Sequence, residues 1–207
     1  MSVLERIAYY QNRRDEVPNQ ELARELAETR DAAGIQDIAE NLRHKNPQIQ
    51  SDCLKVLYEI GYLAPELIAG YASDFLKLLR SRNNRLVWGG MIALSTIAEI
   101  AADEIYAHLA DLQKAMQHGS VITVDAGIMT LAKLACTHDE RRTTILPILL
   151  EHLRTCRPKD VPQHAEKILP AVDSENRSAF IAILETRLED ISAAQAARIR
   201  KVIKSCR

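Results

Sequence analysis

His152 and Cys156 stand four residues apart, a spacing that places two metal-ligating side chains on one face of a helix. Cys136 and His138 form a second pair, separated by one residue. Neither pair supplies the three protein ligands of a catalytic zinc site or the four of a structural one, so no metal is expected. There is no G-x-S-x-G elbow and no H-E-x-x-H motif, and carboxylates such as Glu99 and Asp125 stand singly. Gly89-Gly90 and Gly127 fall inside helical stretches without the G-x-x-x-x-G-K of a phosphate loop, and are read as points of close helix approach. No catalytic residue and no cofactor is assigned. What remains is recognition chemistry. Arg82, Arg85, Arg157 and Lys159 sit in predicted turns, where cationic side chains either grip a carboxylate or phosphate or simply cap helices in solvent.

The elements that position these residues follow from composition and periodicity. Of 207 residues, 47% are hydrophobic and 27% charged, with only 7 Gly and 7 Pro, a balance that favours helices over turn-rich β structure. The net charge of −1 provides no global field for nucleic acid or an anionic membrane. The longest uncharged run, Leu86 to Ala98, is too short to span a bilayer. The start MSVLERIAYY lacks the apolar core of a signal peptide, and neither it nor the ending KSCR fits a lipidation signal. Four scattered cysteines without C-x-x-C read as reduced thiols, and the expected location is cytoplasmic.

An internal repeat is the strongest signal. A shift of 37 residues aligns Ile38, Phe75, Leu112 and Leu149, and also Leu42, Leu79, Met116 and Leu153. Leu57, Leu94 and Leu131 continue to Leu169, and Ile60, Ile97 and Leu134 to Val172, each after one extra residue. Within a unit these positions have the i, i+3/i+4 spacing of a helix face. The first helix (A) is predicted at 35–45, 65–81, 103–117 and 139–155, and the second (B) at 48–62, 85–100, 121–136 and 161–172. Residues 1–32 predict an N-terminal helical cap, with helices over VLERIAYYQNR and NQELARELAETR, and 174–207 a C-terminal helical pair. The whole of 1–207 reads as one domain with four central repeats over 33–173.

NPQIQSDCLKVLYEI (46–60) resembles the second helix of a HEAT repeat: Ile49 stands at the Val place, Cys53-Leu54 at the Ala-Leu place, and Leu57 and Ile60 at the closing pair. TTILPILLEHL (143–153) resembles a HEAT first helix, with Pro147 where that helix usually kinks. The chain thus resembles the HEAT-repeat (armadillo-like) family, in particular bacterial members of uncharacterised role. The resemblance implies an all-α, right-handed α-α superhelix serving as a scaffold or binding module. The family's Arg that ladders with Asp between neighbouring repeats is replaced by Gln50, Val87, Val124 and Pro162, so apolar contact is expected to do the stacking.

In such an array the B helices line the concave side. Opposite their core positions lie Ser51, Lys55, Tyr58 and Tyr62, then Trp88, Ile92, Ser95 and Glu99, then Asp125 and Met129. Tyr58, Tyr62, Trp88, Ile92 and Met129, with Asp125, are the candidate binding residues. Exposed together, such side chains mark an interaction site; a shifted helix phase would instead bury them in the core. The expected function is non-catalytic protein–protein interaction, with a peptide or helix held on this face, and homodimerisation competes for the same surface. The alternative is nucleic-acid binding of the kind the resemblance to HEAT-like alkylpurine DNA glycosylases implies, with Trp88 and Asp125 in equivalent slots of adjacent repeats. The near-neutral charge argues against it.

Overall fold

Asparagine followed by proline, or asparagine alone, opens the first two B helices in the computed structural model, which describes residues 2–206. Met1 and Arg207, the outer bounds of the predicted domain, lie outside the described residues. Twelve α-helices and no strand occur among the described residues. They are α1 (Val17–Thr29), α2 (Ala32–Glu40), α3 (Pro47–Leu63), α4 (Ala72–Leu78), α5 (Asn84–Ile97), α6 (Ala102–Tyr106), α7 (Leu109–His118), α8 (Val121–Thr137), α9 (Asp139–Thr155), α10 (Val161–Ile168), α11 (Arg177–Thr186) and α12 (Ala193–Ser205). The chain divides into two compact units at Gly127, within α8. No helix among the described residues is long and apolar enough to cross a membrane.

In the first unit the repeat positions form the core. Ile38, Phe75 and Leu112 are fully buried, as are Leu57, Leu94, Ile60 and Ile97. Each large side chain so buried contributes about 1.5–3 kcal/mol. In the second unit Leu131, Leu134, Leu149 and Leu153 are also fully buried. The repeat needs no extra residue there: Ile168 and Ala171, 37 residues after Leu131 and Leu134, are fully buried, whereas Leu169 and Val172 are half-buried.

Three segments differ from the sequence reading. VLERIAYYQNR is a single 3-10 turn, Val3–Arg6, followed by turns, with Asn12 in the left-handed region at φ 53°. Asn19 and Asp52 explain this: the Asn19 Oδ1 accepts from the Ala8 N–H (2.9 Å) and the Asp52 carboxylate from the Tyr9 N–H (2.8 Å). Side chains thus take the donors a helix would use. The predicted A helix at 65–81 is two 3-10 turns, Pro65–Leu67 and Ala69–Tyr71, followed by α4. The one at 103–117 splits into α6 and α7. His108 Nδ1 lies 3.0 Å from the Glu104 carbonyl and takes the place of a backbone partner, while the His108 N–H turns to Ile105. This short-helix-plus-two pattern is the three-helix version of the repeat. By contrast α9 runs unbroken through Pro147.

A charge ladder does link successive repeats, away from the family's position. Arg43 reaches Asp74 (2.7 Å) and Arg80 reaches Asp111 (2.8 Å), and the two pairs are themselves 37 residues apart. Both arginines are some three-quarters exposed, at 75% and 71%, so solvent screens each bridge and apolar burial still carries the stacking.

Candidate functional site

The aromatic face is built by α3 and α5. Both start on an asparagine cap: the Asn46 Oδ1 accepts from Gln48 N–H (2.9 Å) and the Asn83 Oδ1 from Arg85 N–H (3.0 Å). Between them Gly89 and Gly61 allow close approach. A Cβ at Gly89 would lie 2.6 Å from Leu54 Cδ2, and one at Gly61 would collide with the Thr96 side chain. The close approach expected from the sequence at Gly89 is therefore a packing device, and Gly61 adds a second.

That approach places the Trp88 ring 6.3 Å from Tyr58, with Tyr62 edge-on to Tyr58 at 6.2 Å. The three rings differ in exposure. Tyr58 is buried at 5%, Trp88 is half-buried and Tyr62 is 60% exposed. Tyr58 thus serves as a floor, and Trp88 and Tyr62 present surface. Ile92, one turn beyond Trp88, is half-buried.

Lys55 lies over the Tyr58 ring, 4.8 Å from its centroid, between Glu59 (2.7 Å) and Glu16 (2.8 Å). Burial works to lower the pKa of its ammonium, but hydrogen bonds to the two carboxylates outweigh it and raise the pKa above the ordinary lysine range. Burial pushes the Tyr58 hydroxyl up to about 12 and raises Tyr62 as well, the latter with help from Glu59 and Asp125. Asp125 is half-buried and acts electrostatically on Tyr62. Asp52 is raised mainly by desolvation, despite the bonds it accepts from Tyr9 and Asn19.

The turn arginines separate. Arg85 joins Glu16, Asp52, Lys55 and Trp88 around a small recess beside the rings. Arg82 lines an open groove of about 770 Å³ with Arg80, Asn84, Asp111, Lys114 and His118. Arg80 is already committed to Asp111.

The second unit holds the remaining predicted residues. Met129 is half-buried, Lys159 is exposed, and Arg157 pairs with Asp160 at 2.6 Å. Here the structure adds a residue that sequence reasoning did not join to the others. His164, on α10 and only 3% exposed, places its Nδ1 2.9 Å from His152 Nε2 on α9. Cys156 is the third member of this cluster, and the three ligand atoms all lie within 4.8 Å of one another. The signal was present as H-x3-C-x7-H, with the turn Arg157–Asp160 folding α10 back against α9. Desolvation, with the neighbouring His164, holds His152 down at about 4.

No protein-family model matches the chain, and no curated protein matches it. Solved structures do. An engineered protein determined as a structural-genomics target is 20% identical, covers 100% of this chain and 98% of its own, and superposes with a TM-score of 0.67. A designed armadillo repeat protein in complex with the peptide (KR)4 is 14% identical over 91% of this chain and 87% of its own, TM-score 0.71. A computationally designed armadillo repeat protein for modular peptide recognition gives 0.69 at 14% identity, covering 98% of each chain. The chain has the armadillo/HEAT-like helical-repeat fold.

Proposed function

We propose that this chain is a non-catalytic peptide-binding module, and that the α3–α5 face of its first unit docks a peptide rich in basic side chains. The observation that carries the reading is a ring pair, exposed Tyr62 and half-buried Trp88, resting on a buried Tyr58 and bordered by carboxylates. Glu16, Asp52 and Glu59 stand against Lys55 and Arg85 around the rings, three negative charges to two positive. Cationic side chains gain about 0.5–2 kcal/mol over such rings and are drawn by the carboxylates. Likeness to designed armadillo proteins, one of them in complex with (KR)4, supports a peptide as the occupant.

The test is a fluorescence-polarisation titration of a labelled Lys/Arg octapeptide and of an acidic octapeptide of equal length. The basic peptide binds, and raising the salt weakens it. Tyr62→Ala lowers its affinity by about fivefold or more without unfolding the chain, since the ring is largely exposed. Equal affinity for the acidic peptide, or no effect of Tyr62→Ala, would remove this face as the docking site.

A further inference from the structure

We propose that His152, Cys156 and His164 form a binding site for one zinc-like divalent transition-metal ion. The site belongs to the second unit and is independent of the peptide face. His152 projects from the last turn of α9, and Cys156 follows one turn later as the residue that ends the helix. The Pro158–Asp160 turn then brings α10 alongside, with His164 on its buried face. The two imidazole nitrogens already face one another at 2.9 Å, with ring centroids 4.8 Å apart.

A tetrahedral zinc with bonds of about 2.0–2.1 Å to nitrogen and 2.3 Å to sulfur needs N···N and N···S separations of roughly 3.4–3.6 Å. The ligand atoms lie within 4.8 Å of one another, so closure takes side-chain movements of about 1 Å. Two imidazoles and a thiolate select zinc, or nickel and copper in its place, over calcium or magnesium, which take oxygen. His152 and Cys156 are only half-buried, which leaves an entry path and one tetrahedral position for water. The cluster is also well supported. Arg187, itself buried, donates to the carbonyls of Leu153, Arg154 and Cys156 and so fixes the end of α9 that carries two of the ligands. A His–His hydrogen bond alone would need neither the thiol nor its placement.

The experiment is a Co(II) titration of the full chain after chelator treatment, followed by displacement with Zn(II). One cobalt per chain binds, with a thiolate-to-cobalt charge-transfer band and the visible bands of a tetrahedral ion. Cys156→Ala loses the charge-transfer band, and Cys136→Ala keeps it. Outer-shell partners of metal ligands are worth about 10–100-fold in affinity, so removing a direct ligand, as in Cys156→Ala or His152→Gln, weakens zinc by at least about 100-fold. His152 is half-buried, so His152→Gln tests the site even where a change at buried His164 disturbs folding. No one-to-one binding tighter than about 1 mM would overturn the proposal. So would zinc affinity unchanged in both Cys156→Ala and His152→Gln.

Discussion

Replacing Lys55 by methionine removes the cation held between Glu59 and Glu16 while keeping an unbranched chain over the Tyr58 ring. The lysine side chain is 11% exposed and Glu59 23%, so that contact counts as a charge-assisted hydrogen bond, about 1.5 kcal/mol. Glu16 is 54% exposed, and solvent screening reduces its share to about 0.5 kcal/mol. The total loss is about 2 kcal/mol, or a fall in Tm of about 4–8 °C for a chain of this size. Binding moves the other way. With Lys55 gone, the face carries one more net negative charge and two carboxylates open to a peptide cation. One unit charge at about 4 Å in a water-like medium is worth about 1 kcal/mol, so the basic peptide binds roughly fivefold tighter. Thermal denaturation and peptide titration on Lys55→Met read both quantities. A variant as stable as the parent, or one that binds the basic peptide more weakly, would refute the reasoning.

Arg187→Ala removes the guanidinium donor from three carbonyls at the end of α9 and a buried cation from that helix terminus, costing about 3–5 kcal/mol by chemical denaturation. Arg187→Lys, which lacks the fork, recovers only part of it. In chelator-treated protein, His152 binds its proton at about 4 when folded and near its ordinary 6.5 when unfolded. The unfolded state therefore holds more protons in between, and stability falls as pH drops from about 6.5 to about 4. Denaturation midpoints across that range show this slope in the parent and a shallower one in His152→Gln. With a thiol reagent, exposed Cys136 reacts first, and Cys53, fully buried and pushed up to about 12, reacts only on unfolding.

The 37-residue register was legible because every repeat buries the same helix faces, so Ile38, Phe75, Leu112 and Leu149 report one physical constraint four times. The breaks in the A segments were not. The break at 103–117 depends on His108 reaching its own Glu104 carbonyl, and the unwinding of the N-terminal segment on Asn19 and Asp52 meeting it, contacts that no periodicity encodes. Helical spacing brings the Tyr58, Tyr62 and Trp88 rings together, yet their differing exposure comes from Gly89 letting α5 settle against Leu54 and from Lys55 covering Tyr58. His152 and Cys156 were visible as a pair. His164 was not, because only the turn at 158–160 brings α10 back to them.

Trp88 is the only tryptophan of the chain, so its emission reports the proposed peptide face directly. Acrylamide quenching of that emission, with and without saturating basic peptide, tests the claim most closely. The half-buried ring is quenched to an intermediate degree in the free protein and becomes protected when the peptide binds. A peptide that binds without changing the quenching of Trp88 would place the docking surface elsewhere.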